Sequence, residues 1–542
     1  MLKTKEPKGI TLISLVITII ILLILALVAV SLAVDSNGLF SKAGDAANSW
    51  NTSVAEEEGS IQDMLNIAEE ISYPLKPMVT KWNIAAGDTV GIVLYSQKFM
   101  GNALVDNTDI TINWGDGREE HYTSSNLTNG AASHTYTDAN SNTIVTITGK
   151  CNVIRVGNDA KLISIEEWGY TETTVYNFMG CTGLASIASP EKYTFKNVAS
   201  FDGTFYGCSS LTSIPDNMFE NCTNATSFEM AFAGCSSLTS IPDNMFANCT
   251  NVTSFDETFA GCSSLTSIPD SMFANCTNVT SFERTFVECS SLTSIPDNMF
   301  ANCTNVTSFE NTFGGCYRLT SIGDYAFANC TSVTSFRQMF VGCSLTSIGD
   351  YAFANCAALE DVTYMFGNCP ITSIGKHAFD GCSSVEVFFV LFGAPSDSIA
   401  KLENQYTTLQ CIDTSIKSSY TVEVVGAAGL RRTMENLRTI GDYAFANCTS
   451  AKNFDGLFAD CVNLESIPEH LFENTPNVAS FKGTFTGCTS LTGNALPLWT
   501  RVTTDTTTYK GVPDGYNCYK GCTRLTNYEA IPDYWKNAPA PG

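Results

Sequence analysis

Charge is scarce in this chain, and basic charge is scarcer still. Only 15% of its 542 residues are Asp, Glu, Lys or Arg, and 29 Lys and Arg face 54 Asp and Glu for a formal net charge of −25. That balance excludes nucleic acid or an anionic lipid surface as the main partner, because both demand a basic footprint. Histidine is nearly missing: His121, His134, His377 and His470 are scattered along the chain, and no metal-ligand spacing joins them. No G-x-S-x-G, H-E-x-x-H, P-loop or dinucleotide fingerprint occurs. These absences leave an enzyme little to work with, unless the irregular stretch 390–436 conceals a site. No cofactor is implied.

What the chain does have begins at its N-terminus. MLKTKEPKG carries three lysines, and residues 10–34 (ITLISLVITIIILLILALVAVSLAV) then run without a charge. As a helix that run spans roughly 37 Å, enough to cross a hydrocarbon core of ~30 Å with some tilt. Lysines before it and Asp35 after it place the N-terminus in the cytoplasm and the remainder outside. Ala29-Val30-Ser31 has the small-x-small spacing that a secretory cleavage would use instead. The basic leader, Gly9 and the apolar run from Ile10 together resemble a class III, type IV prepilin signal. The resemblance implies cleavage between Gly9 and Ile10 and self-assembly through the N-terminal helix. One departure counts against filaments: Ser14 stands where pilins carry glutamate. Residues 35–75 read as an interrupted helical stalk, with Asn37-Gly38 as a break.

From 76 to 165 the period changes to two. TVGIVLY, DITINW and TIVTITG alternate like half-buried strands between Gly, Asp and Asn clusters. ITINWGDG (110–117) followed by SHTYTD (133–138) resembles the PKD-type immunoglobulin-like β-sandwich. That implies a buried Trp114 and a turn shaped by Asp116, whose alternative role is a calcium ligand. His121 and His134 are read as structural.

Beyond residue 166 a 27-residue text recurs, as in CSSLTSIPDNMFANCTNVTSFDETFAG from Cys235. Its rule is F-x2-C-x2-(L/V)-x2-(I/F), and two alternating half-units, LTSIPDNMF and VTSFxxTF, make the full period. Internal periods of this length mean a solenoid. Each F-x2-C suits a short helical turn and each LTSI or VTSF a brief strand. Asp216, Asp243, Asp270 and Asp297 sit where helix N-caps are wanted. Stacking places the cysteines in columns, one through Cys208, Cys235, Cys262, Cys289 and Cys316, another through Cys222, Cys249, Cys276, Cys303 and Cys330. Buried free thiols are the reading adopted, since equivalent positions in adjacent coils point in parallel. Disulfides and metal are the alternatives.

The repeat closely resembles the BspA-like leucine-rich repeats of bacterial surface proteins, from Phe178 to Tyr528. The expected fold is therefore α/β: a leucine-rich-repeat-like solenoid preceded by a transmembrane helix and an immunoglobulin-like sandwich. Its segments are a leader at 1–9, the membrane helix at 10–34, the stalk at 35–75 and the sandwich at 76–165. The solenoid follows at 166–389, an insertion at 390–436, the continuation with a cap at 437–535, and a tail at 536–542. The resemblance implies surface adhesion or recognition of a protein or glycan ligand. Within the array, outward residues vary after each VTSF. Glu229, Asp256, Glu257, Glu283, Arg284, Glu310 and Arg337 form a candidate ligand-facing stripe. The Asp216/Asp243/Asp270/Asp297 column is a weaker candidate for calcium. Asn-Cys-Thr at Asn221, Asn248, Asn275 and Asn302 matches a glycosylation sequon but reads as a by-product of the repeat.

Overall fold

The computed structural model describes residues 75–537 except 97, 100–101, 104–105, 244, 302, 387, 389–390, 393–433 and 505–510. The leader, membrane helix, stalk and nearly all of the insertion and tail expected from the sequence lie outside the described residues. Among the described residues no helix is long and apolar enough to cross a membrane.

The alternating segments form strands as their period demands. β1 (Met78–Ile84), β2 (Thr89–Val93), a small hairpin of β3 (Lys98–Phe99) and β4 (Asn102–Ala103), β5 (Asp109–Asn113) and β6 (Glu119–Thr123) come first. β7 (Ala131–Thr135), β8 (Asn140–Lys150), β9 (Val153–Arg155) and β10 (Leu162–Glu167) follow, then β11 (Val175–Asn177) and β12 (Ser186–Ile187). They build a six-stranded sheet, β12-β10-β1-β8-β5-β6, and a four-stranded sheet, β11-β9-β2-β7. Trp82, Trp114 and Tyr136 are buried, and the Tyr136 hydroxyl donates to the Trp114 carbonyl at 2.9 Å. Trp114 ends β5 in a turn where Gly115 must be glycine: its φ is +80° and a Cβ there would lie 2.3 Å from the Ile144 carbonyl oxygen.

These sheets pass into the repeats without a break. β11 joins β9 and β12 joins β10 in parallel, and the Phe178 amide then donates to the Thr204 carbonyl. The expected boundary at 165/166 therefore falls inside continuous pairing. Parallel bridges then run Ser200, Ser227, Ser254, Ser281, Ser308, Ser335 and Asp361, in steps of 27 residues and finally 26. A second ladder forms a five-stranded parallel sheet from β13 (Ser294–Ile295), β14 (Ser321–Ile322), β15 (Ser347–Ile348), β16 (Ser373–Ile374) and β17 (Thr439–Ile440).

Two expectations need correction. Among the described residues the coils contain no α-helix: each F-x2-C is one tight turn, with the Cys208 amide donating back to the Phe205 carbonyl at 3.0 Å, and no consecutive ladder of such bonds follows. Among the described residues the one α-helix is α1 (Asp533–Lys536). Asp216, Asp243, Asp270 and Asp297 accordingly cap nothing helical. From Asp297 onward this position instead bonds between coils, since its carboxylate accepts the Asp324 amide, Asp324 accepts Asp350, and Asp350 accepts Lys376, each at 2.8 Å.

The insertion also leaves the stack unbroken. Ser373 pairs with Thr439, Phe379 stacks on Phe445 at 5.3 Å and Phe388 on Phe454 at 5.5 Å. One apolar core, with columns of Phe, Leu, Ile, Val and Cys, runs from Met78 to Trp535. Each coil contacts its neighbours, so no coil's apolar face is left open.

One corner of the coil changes from proline to glycine along the array. Pro215, Pro242, Pro269 and Pro296 give way to Gly323, Gly349, Gly375 and Gly441 at the same corner. Glycine restores the amide that proline lacks: Gly323 donates to Ile295, Gly375 to Ile348 and Gly441 to Ile374 at 2.6–3.0 Å. It also permits closer approach, because a Cβ on Gly375 would lie 2.4 Å from the Gly349 carbonyl oxygen.

Candidate recognition surface

The varied stripe is assembled by the Ser-bridge ladder. Backbone amides tie it from coil to coil: Glu257 donates to the Glu283 carbonyl, Arg284 to Glu310 and Asn311 to Arg337. Glu229, Glu283 and Arg284 are exposed, while Asp256, Glu257, Glu310 and Arg337 are half-buried. The Asp256 carboxylate accepts the Ser281 hydroxyl and the Glu283 amide. Arg284 reaches Glu257 at 3.4 Å. Partial burial, then repulsion from Asp202, Asp256 and Glu257, pushes the Glu229 carboxyl up. Burial and the neighbouring Glu310 and Asp256 do the same to Glu283. The structure thus sets the seven residues at two adjacent positions of successive coils, five of them acidic, and adds Asp202, which the sequence reading missed. Met230, Glu257, Arg284, Asn311 and Gln338 all have φ near +54°, so the turn projects them from the coil.

The other corner of the coil carries a feature that the sequence reading passed over. Tyr325, Tyr351, His377, Tyr443 and His470 occupy one position in successive coils and stack face to face. Their ring centroids lie 4.8, 4.5, 4.8 and 4.5 Å apart, with planes within 8° of parallel. The signal was present in GDYAF, GDYAF, GKHAF, GDYAF and PEHLF, where an aromatic ring replaces the Asn or Ser of earlier coils. His377 Nδ1 pairs with Asp380 at 2.6 Å and His470 Nδ1 with Asp442 at 2.8 Å.

All 21 cysteines placed by the structure are buried with free thiols. Both columns do more than fill space. Cys208, Cys235, Cys262, Cys289 and Cys316 each donate Sγ–H to the carbonyl of a phenylalanine one coil back, at 3.2 Å. In the second column Cys249, Cys276 and Cys330 do so at 3.6–3.8 Å, and Cys222 and Cys303 are as deeply buried. Burial pushes the thiols of Cys262, Cys276 and Cys330 up to about 12, so thiolate chemistry is suppressed. Thr258, Thr285, Thr312 and Thr484 repeat the device, their hydroxyls reaching a phenylalanine carbonyl of the previous coil at 2.9–3.0 Å.

Asp116 forms its turn by accepting the Arg118 amide at 3.1 Å, and it also pairs with buried His134 at 2.8 Å. Burial raises its carboxyl and the bonds from His134 and Arg118 outweigh that, holding it below its ordinary value. His121 meets Asp109 at 2.7 Å on the surface. Among the described residues no three His, Cys, Asp or Glu side chains are grouped to hold a metal ion. The side-chain amides of Asn248 and Asn275 donate to Glu220 and Ala247 carbonyls of the coil before, so the sequon asparagines are engaged in stacking.

Parallel coils with columns of Leu, Ile and Phe inside and side-chain columns outside define a leucine-rich-repeat solenoid. The profile of the BspA type Leucine rich repeat region matches residues 150–280, 293–393 and 432–530, in six copies. That is more than half of the chain, and the chain belongs to this family. Its start at 150 agrees with the continuous pairing across residue 165. No curated protein matches the sequence. Among solved structures the chain is similar to a leucine-rich repeat protein from Bacteroides ovatus ATCC 8483, at 20% identity over 67% of this chain and 94% of that one, with a TM-score of 0.19. It is also similar to a leucine rich cell surface protein from Faecalibacterium prausnitzii A2-165, at 16% identity over 81% and 98%, TM-score 0.19. A leucine-rich repeat protein of T. pallidum shares 18% over 46% and 89%, TM-score 0.14. Membership of the family rests on the repeat itself.

Proposed function

We propose that this is a non-catalytic surface protein, anchored by residues 10–34, that holds its solenoid outward to recognise a protein or glycan ligand. The observation that carries this reading is the contrast between an almost invariant core and a variable outer column at Glu229, Asp256, Glu257, Glu283, Arg284, Glu310 and Arg337. The two sheets ahead of the solenoid act as a PKD-like spacer. The N-W-G-D-G turn and the burial of Trp114 support that part of the reading. A second reading, a pilin-like subunit with a large repeat head, draws on Gly9 and the apolar run that begins at Ile10.

The test is a binding screen of full-length protein against extracellular matrix proteins and glycans, repeated with Glu229→Gln, Glu257→Gln and Glu283→Gln combined. Selective binding that the combined variant loses supports the stripe. Binding to nothing, or binding that the variant leaves unchanged, overturns it. Intact mass of protein from its own cell envelope separates the readings of the N-terminus: a chain starting at Ile10 and recovered in sheared filaments favours the pilin-like subunit.

A further inference from the structure

The five-ring column is built against local backbone preference. Tyr325, Tyr351, His377 and Tyr443 have φ of +53° to +57°, as does Asn298 at the same position one coil earlier. Asparagine tolerates this left-handed conformation, whereas a bulky ring there is an outlier of the kind that gathers at binding sites. The strained rings appear only where the Pro-to-Gly exchange has drawn the coils together, except at the terminal His470, which follows Pro468.

The chemistry facing outward is specific. The ring faces are covered by one another at 4.5–4.8 Å, so neither a sugar ring nor a cation can sit over them along the column. What remains exposed is a row of ring edges, with Tyr325 41% accessible. The hydroxyls of Tyr325, Tyr351 and Tyr443 have no partner among the described residues. His377 and His470 hold Nδ1 against carboxylates, so in the neutral ring Nε2 is the acceptor, and Nε2 of His470 lies 4.0 Å from the Glu473 carboxylate. Four of the five rings directly follow an acid, namely Asp324, Asp350, Asp442 and Glu469, and Asp380 and Glu473 lie three residues after the two histidines. Lys376, before His377, is the one basic residue in this set. The row is therefore rich in acceptors and negative charge, and its repeat runs along the solenoid axis.

We propose that this column is a binding site for an extended Lys/Arg-rich polypeptide segment lying parallel to the solenoid axis, its ammonium and guanidinium groups donating to the phenol oxygens, imidazole Nε2 atoms and flanking carboxylates. The site goes beyond the stripe reading and uses a different column, so either can fail alone. Acidification weakens it at its far end, because protonation turns Nε2 of His470 from acceptor to charged donor. The groups around His377 are Lys376, Asp380, Tyr351 and Tyr443, and those around His470 are Asp442, Glu469, Glu473 and Tyr443.

The experiment uses full-length protein in mild detergent and labelled oligolysine at low salt, with a neutral β-glucan oligosaccharide as the competing chemistry. Tyr325→Asn, Tyr351→Asn and Tyr443→Asn combined install the residue that Asn298 already places at this φ, so folding is expected to survive. Oligolysine binding should fall by roughly tenfold or more, while Glu229→Gln, Glu257→Gln and Glu283→Gln combined leave it within about twofold of the parent. Tyr351→Phe with Tyr443→Phe keeps the stack and removes two outward oxygens; partial loss there supports the proposal even if the Asn variant melts lower. Equal binding by both tyrosine variants, equal loss in the glutamine variant, or binding of the glucan but not of oligolysine would each overturn it.

Discussion

Replacing Cys262 asks what the thiol columns contribute. Its Sγ lies 3.2 Å from the Phe232 carbonyl oxygen, which also accepts the Cys235 amide at 3.0 Å, and the side chain is wholly buried. Cys262→Ala removes one buried heavy atom and a weak bond while Phe232 keeps its amide partner, so the cost should be about 1–2 kcal/mol. Cys262→Ser looks more conservative but should cost more. The C–O bond is shorter than C–S, so the hydroxyl stops short of a carbonyl already at the sulfur's longer reach. A buried hydroxyl left poorly bonded adds about 1–3 kcal/mol. Cys262→Val keeps the apolar character but crowds a filled column, for about 1–3 kcal/mol. Urea midpoints of the three variants give the ranking, and hydrogen exchange at the adjacent coils shows whether the loss stays local, as a quasi-one-dimensional stack requires. Labelling with a thiol reagent should be slow in the native protein and fast in urea, since burial holds this thiol up at about 12. A neutral Cys262→Ser, or thiols absent from the unreduced denatured protein, would refute the account of free, packed, weakly donating sulfur.

Other outcomes follow from the same geometry. Thr285→Val keeps the shape but loses a hydroxyl 3.0 Å from the Phe255 carbonyl, and should lower stability by about 1 kcal/mol in urea unfolding. Gly375→Ala forces a Cβ to 2.4 Å from the Gly349 carbonyl oxygen, and a loss of about 1–3 kcal/mol should appear as a lower Tm. Thr439 follows Ser373 by 66 residues where a regular step is 26, a surplus of 40. Deleting residues 393–432 should therefore leave the melting curve of the solenoid within a few degrees, because shortening a loop changes closure entropy by only about 1 kcal/mol. The His470–Asp442 pair gives a pH signature. The hydrogen bond to Asp442 raises the His470 pKa above 6.5, so its stabilisation is complete below that pH and lost as pH rises through the folded value. Burial raises Asp442 but the bonds from His470 outweigh it and hold the carboxyl below 3.8, so its contribution is present above that pH and lost on further acidification. His470→Gln should remove the alkaline loss from a Tm-versus-pH series, and an unchanged profile would disprove it.

How much of this was legible in the sequence varies from residue to residue. The beat of Phe, Cys, Leu and Ile gave the coil and the columns, because burial imposes one side-chain position per turn and nothing competes with it. The helical turns and aspartate caps were misread: spacing of three fits a single reverse turn as well as a helix, and only the missing next hydrogen bond tells them apart. The length of the insertion was visible in the sequence, while the pairing of Ser373 with Thr439 across it was not. Glu229 to Arg337 could be aligned from the repeat alone. The rings from Tyr325 to His470 align equally well in the repeat, two histidines standing in a row of tyrosines. The Cys–carbonyl bonds could not be foreseen, since they depend on a distance between coils that the Pro-to-Gly exchange itself alters.

The coil-to-coil ladder also has a mechanical consequence. A stack whose members bond to their neighbours is a spring with discrete stages when drawn out along its axis. One coil of 26–27 residues releases roughly 90 Å of contour as it opens, while the coils behind it keep their own pairing. A molecule held at its N-terminus and gripped farther out would lengthen stepwise under load, dissipating work at each rupture.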